Sequence, residues 1–284
     1  MTSPKGGAGK DLDEGAVAGH YGGSRLRETV FDALAKAGLD MAALTPRMLA
    51  PVDEFHMGGR GATKEIVVRA GIAGERVLDI GSGLGGLARH LAAEAGCRVT
   101  GLDLTPEFVS LAQELTDLTG LAEQVDFKLG SALDLPFGAE VFDAVTSFHV
   151  AMNIADRAGM YREAARVLKP GGTLVIYDVL KGPQEGLLFP VPWAETAETS
   201  HLVSAEEMQI LLSDQGFVIS EQEDRTPSIL ASHTASLANL SSGTPALGLH
   251  LLQGENAAEK SRNMIAMAKA GQVTLGLFIA RKPA

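Results

Sequence analysis

The chain has 284 residues, 45% of them hydrophobic, and a net charge of −11 from 24 basic and 35 acidic side chains. An acidic surface repels phosphate backbones and speaks against a nucleic-acid partner. The single cysteine, Cys97, excludes an internal disulfide and belongs to an alternating apolar stretch that reads as core. No run of about 18 apolar residues offers a membrane span, and the first residues, MTSPKGGAGKDLDEG, lack an apolar signal core. A cytoplasmic protein with no membrane partner is the expectation.

Residues 1–15 read as a disordered tail with little to bury. A helix is expected over 24–37, where Leu26, Val30, Leu34 and Ala37 form one stripe. A Pro- and Met-containing segment leads to PVDEFHMGGRG at 51–61, and a second helix is expected from Thr63 to Ala70. RVLDIG (76–81) is a short buried strand. A helix follows over 84–95, with Gly96 as its stop. CRVTGLD (97–103) is the next strand, and Thr105 can cap the helix that opens with Pro106. Strands are expected at VDFKLGS (125–131) and VFDAVTSF (141–148), and a helix at about 157–168 ends in LKPGG. TLVIYDVL (173–180) is a near-continuous apolar strand, as when helices cover both faces. SAEE at 204–207 is a capping box before another helix, with a strand near 217–223. Residues 225–270 break the βα rhythm and read as a helical insertion before a last strand at 272–280.

Strands alternating with helices imply an α/β fold, a Rossmann-like, doubly wound, mostly parallel sheet with ligands bound at the C-terminal edge of its strands. The expected division is a tail (1–15), an N-terminal helical lid (16–72), a core (73–224), a helical insertion or lid (225–270) and the last core strand (271–284).

The central motif is the run from Asp79 to Gly86, DIGSGLGG. Gly81, Gly83 and Gly86 fit the G-x-G-x-x-G spacing of dinucleotide binders. Asp79, Gly81, Gly83 and Gly85 fit D-x-G-x-G-x-G equally well, and alone the loop is a weak motif. Asp79, under the turn, would repel a pyrophosphate and favour a cationic ligand; capping of the turn amides is the plainer reading of the same side chain. Asp103 ends the second strand about 20 residues past Gly83, where a carboxylate accepts ribose hydroxyls. The third strand ends in GSALD, where Ser131 or Ala132 can meet an adenine ring.

VLDIGSGLGG, GLDLTPEFV, GSALDLPF, FDAVTSFHVAMNI and RVLKPGG, in this order, resemble the class I S-adenosylmethionine-dependent methyltransferases. A narrower set, HYGG, APVDEFHMGGRGAT, FPVPWAE, ETSHLV and LGLHLLQGENAAEK, resembles the sarcosine/dimethylglycine N-methyltransferase-like subgroup. The resemblance implies a seven-stranded sheet and S-adenosylmethionine as cofactor. It implies adenosyl contacts from Asp79, Gly81, Ser82, Gly83, Asp103, Leu104, Ser131 and Ala132, and approach of Tyr21, His56, Met57 and Gly59 to the methionine end. Ser131 departs from the aspartate common in relatives.

On the acceptor side, His149 follows the fourth strand and can act as general base or hold the cofactor. His56 is a second candidate for acid–base work. Asn153 and Trp193 are candidate acceptor contacts, the tryptophan through a cation–π contact to an ammonium or as a loop staple. Arg60 can pair with an anion or sit solvated. His201 and His250 receive no chemistry, and no ligand spacing for a metal occurs. The expected function is methyl transfer to a small molecule, an amine of the glycine-derivative kind by resemblance, with O- or C-methylation of a natural-product or quinone-like intermediate as the alternative. A nicotinamide oxidoreductase and a non-catalytic binding module are the competing classes.

Overall fold

The computed structural model describes Glu14, Gly15, Gly19, residues 25–239 and residues 246–284, the side chains of 233–239 excepted. Most of the expected tail, and Tyr21, lie outside these residues. Seven strands form one sheet: β1 (Arg76–Ile80), β2 (Arg98–Asp103), β3 (Val125–Leu129), β4 (Phe142–Phe148), β5 (Leu168–Lys181), β6 (Val218–Asp224) and β7 (Val273–Arg281). Their order is β3-β2-β1-β4-β5-β7-β6, parallel except for β7, which runs antiparallel between β5 and β6. The chain winds outward from β1 in both directions, so β1 and β4 flank the point where strand order reverses and a crevice opens.

Burial explains which strands occupy the centre. β4, β5 and β7 are nearly continuous runs of buried residues, as strands covered on both faces must be. The edge strand β6 alternates half-buried with exposed positions. The connecting helices are α1 (Leu26–Lys36), α2 (Pro46–Asp53), α3 (Gly59–Ala70), α4 (Gly86–Ala95), α5 (Pro106–Leu118), α6 (Arg157–Val167), α7 (Ala205–Asp214), α8 (Thr226–Asn239), α9 (His250–Gln253) and α10 (Ala257–Ala270). Two apolar cores cover the two sheet faces, one around Ile66, Leu91 and Met264, the other around Ile80, Phe142 and Tyr161. A third joins Leu34, Leu49 and Val52 to Phe108, Leu111 and Leu252. The segments before β1 and after β6 therefore share one core.

Four local expectations change. Helix α3 begins at Gly59, not Thr63. Within the Pro- and Met-containing segment, to which no element was assigned, helix α2 forms: Pro46 sits harmlessly at the first turn, and burial of Leu49 and Val52 offsets the bond lost at Pro51. Thr105 occupies the cap position without a side-chain cap bond, its hydroxyl being drawn to Asp103. Strand β5 starts at Leu168 and carries the LKPGG run as an irregularity in its pairing with β4. The SAEE capping box forms as expected, Ser204 and Glu207 each accepting the other's backbone N–H.

Gly86 explains the fourth glycine of the loop. A Cβ there would overlap the carbonyl oxygen of Asp53, so this position serves the docking of α2 onto α4. Gly86→Ala is expected to lose about 1–3 kcal/mol through overpacking. Urea denaturation checks this, and an unchanged midpoint would mean that α2 yields freely.

Candidate cofactor and acceptor site

Strand β1 delivers Asp79 to the crevice between Gly101 of β2 and Thr146 of β4. The Thr146 hydroxyl donates to Asp79 Oδ1 at 2.8 Å. Burial pushes the Asp79 carboxyl up to about 7; the Thr146 bond opposes this, and the carboxylates of Glu54 and Asp103 add to it. The turn amides look elsewhere: the N–H groups of Gly81 and Ser82 both donate to the Leu102 carbonyl, at 2.7 and 3.0 Å. Asp79 thus does not cap the turn.

Asp103 does what Asp79 does not. Its two oxygens accept the N–H groups of Gly83 at 2.8 Å and Thr105 at 2.9 Å. Burial raises its pKa while these bonds pull it back. The Thr105 hydroxyl and the Leu104 N–H also favour the ionised form, which keeps the carboxylate an acceptor for the hydroxyls of a ligand. Gly83 has φ +52° and open space where a Cβ would stand, which allows a ligand close to the backbone. Ser82 Oγ is buried beside it without a partner.

These groups line one cavity of about 640 Å³. Leu104, Gly130, Ala132 and Leu133 wall one end. Ser131 is not part of that wall. Its hydroxyl accepts the Leu133 N–H at 3.0 Å and bonds the Glu14 carboxylate, and Glu14 itself reaches the cavity. The resulting donor set suits an adenosyl ligand: a carboxylate acceptor at the β2 tip, an open glycine turn, an orphan hydroxyl and an apolar slot.

At the other end stand His56, Phe148, His149, Val150, Met152, Trp193 and Met264. His149 carries φ +56°, in the left-handed region where histidine is among the tolerated residues. Its backbone N–H donates to the Tyr177 carbonyl at 2.7 Å, while its Nε2 is buried with no partner. Burial, and then the neighbouring His56, hold its pKa well below the usual histidine range. The ring of His56 lies 6.0 Å from that of His149 and 5.3 Å from Phe148. His56 Nε2 is 2.9 Å from both Glu54 Oε2 and Thr63 Oγ1, and its Nδ1 is 3.3 Å from the Met57 carbonyl, so both nitrogens are already engaged.

Asn153 lines the cavity and also builds it: its amide donates to the carbonyls of Trp193 at 2.7 Å and Thr199 at 3.3 Å. Trp193 is buried, donates from Nε1 to Ser200 Oγ at 2.9 Å and faces the cavity. Met57 reaches the cavity, but Gly59 opens α3 outside the lining, and Arg60 pairs with Glu94 at 2.7 Å. His201 is a lining residue and His250 is not. Among the described residues, no group of three or more histidine, cysteine and acidic side chains could hold a metal, and no helix is long and apolar enough to cross a membrane.

Sequence reasoning passed over Asp53, Glu54 and Gln253, all of which line the cavity. The signal for the first two was the acidic pair just before FHMGG, quoted within a resembling motif but given no role of its own.

Comparison with known proteins agrees with this geometry. Residues 78–176 match the family model described as "Methyltransferase domain". Erythromycin 3''-O-methyltransferase of Saccharopolyspora erythraea is 42% identical over 118 residues, 41% of this chain and 39% of the relative. The matches span 39%, 47% and 60% of the lengths of the first three curated relatives, less than two thirds of each. Among solved structures, a sarcosine dimethylglycine methyltransferase-like protein of Galdieria sulphuraria superposes with a TM-score of 0.62 at 23% identity, over 78% of this chain and 84% of that one. A geranyl diphosphate C-methyltransferase of Streptomyces coelicolor A3(2) superposes with a TM-score of 0.69 at 19% identity, over 99% and 100%. The chain has their fold.

A carboxyl held at about 7 in the folded state and ordinary in the unfolded chain makes folding take up a proton. Its stabilising contribution is complete below the unfolded value and is lost as pH rises through about 7. Asp79→Asn, which still accepts the Thr146 hydroxyl, is therefore expected to gain thermal stability over the unliganded wild type as pH rises from about 5 to 7.5. Melting curves across that range check it; parallel curves would place Asp79 in an ordinary ionised state.

Proposed function

We propose, on the premise that residues 78–176 form a methyltransferase domain of the S-adenosylmethionine-dependent class, that this chain transfers a methyl group to a small, largely apolar acceptor without an anionic group. One observation carries the acceptor class. Among the described residues lining the cavity there are six carboxylates, Glu14, Asp53, Glu54, Asp79, Asp103 and Asp156, and no lysine or arginine. A glycine derivative would bring a further carboxylate into this field with no cation to receive it. Apolar side chains such as Val150, Met152, Ile154, Leu249 and Met264 instead favour an apolar body. The names of curated relatives span O-, N- and C-methyltransferases, among them enzymes named for erythromycin, ajmaline and sterols. This supports the natural-product alternative over the glycine-derivative amine.

When bound, S-adenosylmethionine supplies an electrophilic methyl group on a sulfonium sulfur. Asp103 and the Gly81–Gly83 turn would hold its adenosyl part, with Leu104 and Ala132 against the ring. The protein's task is then alignment and dehydration of the acceptor, worth about 7–11 kcal/mol in favourable cases. His149 can receive the proton released by an acceptor hydroxyl or ammonium: burial keeps its ring neutral near pH 7, and its Nε2 has no competing partner. Trp193, held from behind by Asn153, would pack against the acceptor body.

Titration calorimetry with S-adenosylhomocysteine tests the cofactor. A labelled-methyl panel of glycine, sarcosine, dimethylglycine, phenols, a macrolide and an alkaloid amine tests the acceptor. Transfer is expected to the neutral, apolar compounds; transfer to sarcosine alone would overturn the acceptor class. His149→Asn, which tolerates the same backbone, is expected to lower kcat by about 10²–10⁴. Affinity for S-adenosylhomocysteine should stay within about threefold, and an unchanged kcat would remove His149 from proton transfer.

A further inference from the structure

The geometry points to Glu54 as a cofactor-binding residue whose second carboxylate oxygen receives the ammonium of the cofactor's amino-acid end. This rests on the cofactor reading above. Glu54 follows the last residue of α2, and its side chain is 1% exposed. One oxygen, Oε2, accepts the Thr63 hydroxyl at 2.5 Å and lies 2.9 Å from His56 Nε2. The other, Oε1, is buried with no hydrogen-bond partner, and the residue lines the cavity. A buried anion with an unclaimed oxygen is expensive unless a cationic group comes to it.

His56 is taken up by Oε2, and no lysine or arginine is among the described lining residues to meet Oε1. Of the cavity's other carboxylates, Asp53 is paired with Arg89 at 2.7 Å, Asp103 accepts two backbone amides, Asp156 accepts the Gly159 N–H at 2.8 Å and Glu14 is bonded to Ser131. Asp79 and Glu54 are the pair left facing the ligand, and they repel each other. Their surroundings decide which one keeps its charge. Burial opposes ionisation of Glu54, but the His56 bond, the charge of His56 and the Thr63 hydroxyl hold its carboxyl below the usual range. Asp79 has only the Thr146 hydroxyl and rises to about 7. An arriving ammonium therefore meets a charged Glu54 near an Asp79 whose carboxyl is raised to about 7. The sequence points to Asp79 as the partner of a cationic ligand; Glu54 joins it as the carboxylate with an unclaimed buried oxygen.

The test is calorimetric, with two probes: S-adenosylhomocysteine and its deaminated analogue, 5′-S-(3-carboxypropyl)-5′-thioadenosine, which keeps the adenosine and the carboxylate and lacks the amine. Wild type is expected to prefer S-adenosylhomocysteine by about 30-fold or more, and Glu54→Gln to lose that preference by weakening for this ligand alone. Glu54→Asp, which keeps the charge but withdraws it by one methylene, should reduce the preference in the same direction and serves if the glutamine variant does not fold. Wild type binding both probes equally overturns the inference, as does Glu54→Gln weakening both to the same extent or neither. Wild type binding neither probe overturns the cofactor reading itself, a distinct result.

Discussion

The site depends on a buried ion pair between segments 36 residues apart. Arg89 of α4 is fully buried and donates to Asp53 at 2.7 Å, to Thr116 Oγ1 at 2.9 Å, to the Ala112 carbonyl at 3.2 Å and to the Leu84 carbonyl. Both terminal nitrogens of Arg89 are thus engaged, while its Nε and Asp53 Oδ1 are buried without a partner; removing one member of the pair would be strongly destabilising, by about 3–5 kcal/mol. The pair sets the end of α2 against the start of α4, and Gly86 leaves room for it. Glu54, Phe55, His56 and Met57 hang from that anchor over the crevice. The segment before β1 is thereby part of the binding site.

Electrostatics then divide the cavity. Its floor gathers carboxylates that burial raises against different opposition: backbone amides at Asp103, Arg89 at Asp53 and the Thr146 hydroxyl at Asp79, while at Glu54 the His56 and Thr63 contacts outweigh burial. Such a field welcomes a cationic adenosyl compound and resists a diphosphate. The far wall is apolar, with His149 as its conspicuous polar group, a neutral base in a dry setting.

The acceptor wall is held by ties between remote pieces of chain. Asn153 holds the Trp193 loop from behind, and Arg157, near Asp178 at 3.5 Å, donates to the His201 carbonyl at 2.9 Å. The buried Lys260 of α10 reaches Glu195 at 2.6 Å and the Gln253 carbonyl at 2.9 Å, which joins the loop after β5 to the helices before β7. This side of the cavity is therefore shaped by inserts at the sheet edge, which can differ between proteins whose strands superpose.

The core was legible in the chain because its signals are local. Period and composition place β1, β2, β4 and β7, glycine stops mark helix ends, SAEE announces its capping box, and the tip positions of Asp79 and Asp103 follow from strand length alone. Local signals gave no element for α2, whose two prolines are outweighed by burial, and they set the start of β5 too late, at Thr173 and not Leu168. The roles of side chains were less readable than their positions. Nothing near Asp79 in sequence reveals that its neighbour in space is Glu54, and nothing near His56 shows that Thr63 and Glu54 occupy its Nε2. By itself the sequence determined a doubly wound sheet with a glycine turn between two acidic strand tips, since those depend on neighbours along the chain. Only the tertiary structure decided which carboxylate keeps its charge and which histidine nitrogen is free, because protonation and hydrogen bonding depend on groups brought together by folding.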